Sequence, residues 1–112
     1  MAYLQFVNGP LAGRRARLKG RRIRIGRGEG NSIRIDEPTV APRHLLLIRD
    51  GEGYRAEIDA SRPPVGVNGR QIISADLHDG DQIRIGDILI DYHIGEPAPI
   101  HNPLDFYNEA PP

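Results

Sequence analysis

Leu77 to Gly86 reads Leu-His-Asp-Gly-Asp-Gln-Ile-Arg-Ile-Gly, and this stretch decides the fold more than any other part of the chain. Its Asp79-Gly80-Asp81 segment has the residue types of a tight turn. From Gln82 to Ile85 polar and apolar residues alternate, which is the period of a strand with one buried face. A turn at Gly86-Asp87 and a second apolar run from Ile88 to Tyr92 follow. The stretch therefore predicts two neighbouring antiparallel strands joined by a tight turn.

Alternation of this kind recurs back to the start of the chain, and the runs are separated by residues that favour turns. Leu45 to Ile48 is a continuous apolar run, which predicts a central strand covered on both sides. No long helical periodicity is visible. We therefore expect an all-β fold, a two-sheet antiparallel sandwich of about ten to eleven short strands. The predicted strands are Tyr3 to Val7, Arg14 to Leu18, Arg22 to Ile25, Ser32 to Ile35, Leu45 to Ile48, Tyr54 to Ile58, Val65 to Val67, Gln71 to Ile72, Gln82 to Ile85 and Ile88 to Tyr92.

The residues after His93 have a different character. They contain five prolines and no alternation, so they are not expected to form regular strands. We interpret residues 2–93 as one domain and residues 94–112 as a proline-rich tail or linker. Apolar residues such as Leu104 and Phe106 are more frequent there than a simple spacer needs. Two outcomes stay open, in which the tail packs back on the sandwich or docks on a partner.

Composition restricts the function classes. The chain of 112 residues has no cysteine, which excludes disulfides, thiolate zinc sites and cysteine nucleophiles. The beginning has no signal-peptide pattern, and no run approaches the roughly 20 apolar residues of a membrane span, so we expect a cytoplasmic, non-membrane protein.

The net charge is zero, but residues 1–50 are basic and the remainder is acidic. We interpret this as mutual neutralisation within the sandwich, with nucleic-acid binding by the Arg-rich first half as a lesser alternative.

The chain resembles the forkhead-associated (FHA) domain in four short motifs that occur in the same order. These motifs are Gly26-Arg27, Arg43-His44, Asn68-Gly69 and Leu77 to Gly86. The resemblance covers residues 2–93. It implies a β-sandwich that binds phosphothreonine peptides through loops at one end, without enzymatic activity and without a cofactor. It also gives Asp79-Gly80-Asp81 a structural role rather than that of a metal site.

The resemblance assigns roles to residues after the third predicted strand and just before the strand Leu45 to Ile48. It places the Arg27 guanidinium at the mouth of the binding loops. Asn31 is a further candidate phosphopeptide-binding residue. The family's Ser-x-x-His signature reads Ala41-Pro42-Arg43-His44, so the phosphate-binding hydroxyl is missing at Ala41. His44 matches and is expected to fasten the loop internally, and Arg43 is a candidate cationic contact.

A second departure lies before the Asn68-Gly69 turn. Where the family carries a peptide-binding asparagine, this chain has Pro63-Pro64, and Arg62 stands where a small hydroxylated residue is frequent. The prolines also remove two N–H donors. Arg62 is therefore a candidate replacement contact, whereas Asn68 and Gly69, like Gly26, are expected to be structural turn residues.

The sequence thus predicts a non-enzymatic FHA-type protein-interaction module with a degraded phosphothreonine pocket and weak or phosphate-independent partner binding. The alternative is retained recognition of a phosphothreonine peptide in Ser/Thr kinase signalling, through Arg27 with Arg43 or Arg62. In either case the expected partner is a protein. An enzyme is not favoured, because no positioned nucleophile, acid-base pair or metal-ligand spacing is found.

Overall fold

The structure, a computed structural model, describes residues 1–58 and 64–96 of the chain. Within them eleven strands form two sheets, and one short 3-10 helix, Gly9–Leu11, connects the first two strands. The strands are β1 (Ala2–Phe6), β2 (Arg15–Leu18), β3 (Arg22–Gly26), β4 (Ile33–Arg34), β5 (Leu45–Asp50), β6 (Gly53–Ile58), β7 (Val65–Val67), β8 (Arg70–Ile72), β9 (Ser74–Asp76), β10 (Gln82–Ile85) and β11 (Ile88–Ile94). The predicted all-β sandwich is confirmed.

The first sheet has six strands in the order β2-β1-β11-β10-β7-β8. Its centre is the pair predicted from the sequence, β10 and β11, with Ile85 opposite Ile88 across the Gly86-Asp87 turn. The predicted hairpin at Asn68-Gly69 joins β7 to β8, and both turn residues have positive φ, 51° and 83°. Asn and Gly tolerate that conformation, which is why this dipeptide marks a two-residue hairpin.

The second sheet has five strands in the order β4-β3-β5-β6-β9 and differs from the prediction in two respects. The edge strand β4 runs parallel to β3, with Ile25 beside Ile33, so the sandwich is not entirely antiparallel. The edge strand β9, Ser74–Asp76, was not predicted. Its sequence is short and polar, and only its ladder with β6 makes it a strand.

The core lies between the two sheets and is built from alternate residues of each strand. Leu4, Ile25, Leu47, Ile83 and Ile90 are among the fully buried side chains. Burying one such side chain contributes roughly 1.5 to 3 kcal/mol of transfer free energy, so this core is the main stabilising element.

The prediction that β5 is covered on both sides is wrong. Leu45 and Leu47 are buried, but Leu46 and Ile48 are only half-buried because they point to the outer face of the second sheet. A continuous apolar run does not show whether one or both faces of a strand are buried, because burial of the second face requires another packed layer in the fold.

At the end of the described part, β11 continues to Ile94, and of the predicted tail only the residues up to Glu96 are described. The tail residues that suggested packing back or docking, including Leu104 and Phe106, lie outside the described residues. Across residues 1–58 and 64–96 no helix has the length and apolarity needed to cross a membrane.

Candidate functional site

The loop after β3 and the loop before β5 are joined side by side at one end of the sandwich. The β3–β5 ladder continues past the sheet through three main-chain hydrogen bonds, in which His44, Arg27 and Gly28 donate to the carbonyls of Ile25, Ala41 and Pro42 at 3.0, 2.9 and 3.2 Å. The two loops therefore hold each other in place. A seam of this kind fixes the backbone around any ligand-binding residue that the loops carry.

Gly26 allows this close approach. A Cβ atom at residue 26 would lie 2.9 Å from the carbonyl carbon of Pro42 and 3.0 Å from the carbonyl oxygen of Ala41. Such contacts are too short for any side chain, so glycine is required by the neighbouring backbone.

His44 is a buried polar side chain that links two loops. Its Nδ1 accepts a hydrogen bond from the Ala41 N–H at 3.0 Å, and its Nε2 lies 2.8 Å from the carbonyl oxygen of Pro64. With Nδ1 accepting, Nε2 carries the proton and donates it, so the imidazole is neutral. Burial lowers the pKa of His44 below its usual 6.5, and the hydrogen bond to Pro64 offsets part of this effect.

Arg27 lies at the mouth of these loops with its side chain 45% exposed. Its Nε is 3.4 Å from Oδ1 of Asp36, and its main-chain carbonyl accepts a hydrogen bond from Nε of Arg34 at 2.9 Å. Because the pair with Asp36 is long and solvent-exposed, it is weak. The guanidinium has five N–H donors in all, and among the described residues the contact with Asp36 is made through Nε.

The other sequence candidates are placed differently. The Asn31 amide group donates to the carbonyls of Gly28 and Pro42 at 2.7 and 2.8 Å, which braces the two loops from inside. Arg43 is exposed but does not line the groove described below. Arg62 and Pro63 lie outside the described residues. The structure therefore brings Arg27, Ala41 and His44 together, and it does not bring Arg43 or Asn31 into the same groove.

A groove of about 780 Å³ opens beside Arg27 and Ala41. It runs along Pro64 to Gly66, the segment that directly follows the undescribed residues 59–63. From there it reaches the outer face of the first sheet. The sequence analysis did not identify most of the residues that line this part of the groove. The alternation of β10 showed that Arg84 points outward, but nothing in the sequence showed which loop it would face. The lining residues that were missed include Thr39, Arg70, Gln71, Gln82, Arg84 and Asp87.

The β10–β11 turn is fixed against the β4–β5 loop. The N–H of Asp87 donates to Oγ1 of Thr39 at 2.8 Å, and the same hydroxyl donates to the carboxylate of Glu37. At Gly86 a Cβ atom would be 2.5 Å from Thr39 Oγ1 and 2.7 Å from its carbonyl carbon, so the turn and the loop are in direct contact. Both sides of the groove are therefore joined by direct contacts.

The Asp79-Gly80-Asp81 segment is a braced turn, as the family resemblance implies. The carboxylate of Asp81 accepts hydrogen bonds from the His78 N–H at 2.7 Å and from the Asn68 amide at 2.8 Å. Asn68 Oδ1 in turn accepts the N–H of Gln82 at 2.9 Å. Across the described part of the chain, no three His, Asp or Glu side chains are grouped as metal ligands would be.

Comparison with known proteins adds a family and several relatives. Residues 5–93 match the family described as "Inner membrane component of T3SS, cytoplasmic domain". An ABC transporter ATP-binding/permease protein of Mycobacterium tuberculosis is 36% identical over 66 residues, which are 59% of this chain and 8% of that protein. The oxoglutarate dehydrogenase inhibitor of Corynebacterium jeikeium is 34% identical over 85 residues, which are 76% of this chain and 59% of that protein.

The chain thus spans less than two thirds of the length of both curated relatives. Among solved structures, the FhaA FHA domain complexed with the intracellular domain of a second protein superposes with a TM-score of 0.75. It is 30% identical, and the alignment covers 83% of this chain and all of that domain. The likeness therefore extends over the whole of a single FHA domain.

Proposed function

Because this chain belongs to the forkhead-associated family, and to the family described as "Inner membrane component of T3SS, cytoplasmic domain", we propose that it is a non-enzymatic module that binds a segment of a partner protein in the groove beside Arg27. FHA domains are protein-interaction modules, and a related domain is known in complex with a second protein. The observation that carries the proposal is the groove itself, whose two sides are held by the Gly26–Pro42 and Thr39–Asp87 contacts.

We further propose that phosphate contributes less to binding here than in relatives with an intact site. Ala41 lines the groove next to Arg27, and its main-chain N–H and C=O are already bonded to His44 and Arg27. With no side-chain hydroxyl and with its N–H engaged, Ala41 offers no donor to a phosphate. Pro42, which follows, has no N–H at all.

Magnitudes support a weakened phosphate contact. A charge-assisted hydrogen bond contributes roughly 1.5 to 3 kcal/mol, so loss of the hydroxyl alone corresponds to about a tenfold to hundredfold weaker phosphate interaction. Arg27 is the described residue best placed to compensate, because a guanidinium binds a phosphate through two parallel N–H donors. Retained phosphothreonine recognition through Arg27, with help from Arg43 or Arg62, is the competing form of the same proposal.

The family description places related domains in the cytoplasm, and we extend that location to this chain as part of the proposal. The activities and partners of the longer curated relatives are not carried over, since they belong to proteins of which this chain spans a part.

The test is binding to two degenerate peptide libraries that differ only in a central phosphothreonine or threonine. The proposal predicts that the unaltered protein binds both libraries with affinities within about tenfold of each other, and that Ala41→Ser increases the preference for phosphothreonine about tenfold or more. Arg27→Gln should weaken binding to both. A preference of several hundredfold for phosphothreonine in the unaltered protein would contradict the weakened site and favour retained recognition.

Binding to neither library would contradict the peptide-binding proposal itself. In that event a salt-dependent mobility shift of labelled DNA or RNA would favour the nucleic-acid alternative.

A further inference from the structure

Beyond Arg27 the groove continues over a row of four outward-facing residues on the first sheet. Leu89 on β11, Arg84 on β10, Gly66 on β7 and Gln71 on β8 are consecutive partners in the strand ladders. All four line the groove. The row is thus a second part of the same surface, and no residue of it belongs to the loops that carry Arg27 and Ala41.

Gly66 makes this part of the surface concave. The flanking residues Val65 and Val67 are buried, so Gly66 is the residue of β7 that lies on the outer face of the sheet. A Cβ atom there would be 3.7 Å from both the Cβ of Arg84 and the carbonyl oxygen of Arg70, which is ordinary van der Waals contact. A Cβ atom therefore fits at this position without a clash, and the backbone of Gly66 does not need glycine. Glycine inside a strand often marks a place where another backbone approaches closely.

Arg84 supplies a charge at the edge of this depression. Its Nε donates to the carbonyl of Gly86 at 3.0 Å, which holds the guanidinium against the β10–β11 turn. Its Nη2 is 3.6 Å from Oδ1 of Asp87, but the two side chains are 64% and 69% exposed, so this pair is weak. A carboxylate that arrives from a ligand can take its place.

The described lining of the groove as a whole is also positively charged. The described lining residues include three arginines, Arg27, Arg70 and Arg84, and one carboxylate, Asp87. The Asp87 N–H to Thr39 bond fixes the Arg84 end of the groove relative to the Ala41 end. A partner that reaches both ends therefore meets two cationic positions in a fixed arrangement.

We propose that the bound partner segment is extended and acidic, with its main chain crossing over Gly66 and an Asp or Glu side chain paired with Arg84. This inference rests on the proposed function and names the chemistry of the partner for the same groove. The arginine fork accepts a carboxylate through two N–H donors, and Gln71 offers an amide on the opposite side of the depression. An acidic contact here also supplies binding free energy that does not depend on a phosphate at Ala41.

The experiment uses the same two degenerate peptide libraries and reads which residues are enriched at each position. The unaltered protein should select Asp or Glu at one or two positions on one side of the central residue. Arg84→Gln should abolish that selection and weaken binding of the selected acidic peptide about tenfold. A second peptide, in which Gln replaces the selected acidic residue, should bind Arg84→Gln almost as well as it binds the unaltered protein.

Two further variants separate shape from charge. Gly66→Val fills the depression with a residue that suits a strand, and it should weaken acidic and neutral peptides alike about tenfold or more, with the fold intact. Arg55→Gln is the matched control, because Arg55 is also a strand arginine paired with a carboxylate, Glu57 at 3.0 Å, but lies on the second sheet. It should change neither selection nor affinity.

The outcomes distinguish the two proposals. Binding that needs Arg27 but shows no acidic selection, or a selection that survives Arg84→Gln, overturns the acidic contact and leaves the proposed function in place. Unchanged affinity in Gly66→Val overturns the path over β7. Absence of binding to either library overturns both proposals. Loss of acidic selection in Arg84→Gln, with selection unchanged in Arg55→Gln, supports the inference.

Discussion

The Nε2 atom of His44 donates a hydrogen bond to the carbonyl of Pro64 at 2.8 Å, and through it the β4–β5 loop is joined to the segment that begins β7. The opposite ring nitrogen accepts the N–H of Ala41 at 3.0 Å. One neutral imidazole therefore holds two walls of the groove at a fixed separation. Protonation of Nδ1 would turn it from an acceptor into a donor, and the Ala41 N–H would lose its hydrogen-bond partner. It would also place a positive charge in a buried position, so the loop geometry requires the neutral ring.

We predict that the protein loses stability as the pH falls below about 6.5. Burial lowers the pKa of His44 in the folded protein relative to its usual 6.5, so the unfolded chain binds a proton more readily. The stabilisation is therefore fully present above pH 6.5 and is lost as the pH falls through the folded-state pKa. Thermal unfolding between pH 8 and pH 5 measures it, and an NMR titration of the His44 ring reads the pKa directly.

His78→Asn is the control for the pH experiment, because the His78 side chain is 80% exposed. It should retain the loss of stability below pH 6.5, whereas His44→Gln, if it folds, should show a smaller dependence. An NMR pKa for His44 at or above 6.5 would contradict the prediction even if no His44 variant folds.

A second prediction concerns the contact between the β10–β11 turn and the β4–β5 loop. Gly86→Ala should destabilise the protein more than Gly80→Ala. Both glycines have positive φ, +58° and +90°, which costs an alanine roughly 1 to 2 kcal/mol. At Gly86 the new Cβ would also be 2.5 Å from Thr39 Oγ1, whereas nothing lies within 4 Å at Gly80. Urea unfolding of both variants gives the difference, and equal losses would show that the contact is not tight.

The third prediction is that Asp36→Asn strengthens ligand binding. Asp36 is the carboxylate that pairs with Arg27 at 3.4 Å, and a ligand anion has to compete with it. Exposed pairs are worth about 0.2 to 1 kcal/mol, so affinity for the peptides selected from the libraries should increase up to about fivefold. The free energy of unfolding should change by no more than about 0.5 kcal/mol.

Asp50→Asn is the control for this experiment, because it removes the same charge in the β5–β6 hairpin. That hairpin lies at the opposite end of the β3–β5 ladder from Arg27, past the pair of Arg22 with Ile48. An equal gain in both variants would assign the effect to net charge. No gain in Asp36→Asn, together with loss of binding in Arg27→Gln, would show that the pair does not compete with the ligand.

The fourth prediction concerns the buried link between the two sheets. The hydroxyl of Tyr92 accepts the main-chain N–H of Tyr54 at 3.0 Å in a buried position. Tyr92→Phe leaves that N–H without its acceptor, which should cost about 1 to 3 kcal/mol of stability. Tyr54→Phe removes a bond to the carbonyl of Gly20, an exposed residue whose carbonyl can bind water instead, so it should cost less. Chemical unfolding of both variants checks the order.

Much of the fold could be predicted from the chain alone because its strands have one buried face. The alternation in Gln82 to Ile85 predicted β10, and Asn68-Gly69 predicted the β7–β8 hairpin. The pattern could not predict β9, whose Ser-Ala-Asp sequence has no apolar alternation and becomes a strand by pairing with β6. It also could not predict that β4 runs parallel to β3, since direction within a sheet depends on the path of the loop between the strands.

The sequence by itself determined the composition of the candidate site: an arginine at residue 27, no hydroxyl at Ala41 and no asparagine at Pro63-Pro64. These are matters of residue identity, and no folding changes them. Only the tertiary structure decided which residues share a groove, because Arg27, Thr39, Gly66 and Arg84 are far apart in sequence and meet only through the packing of loops on the first sheet. A side chain's chemistry is local, whereas its neighbours depend on long-range contacts that the chain forms when its core is buried.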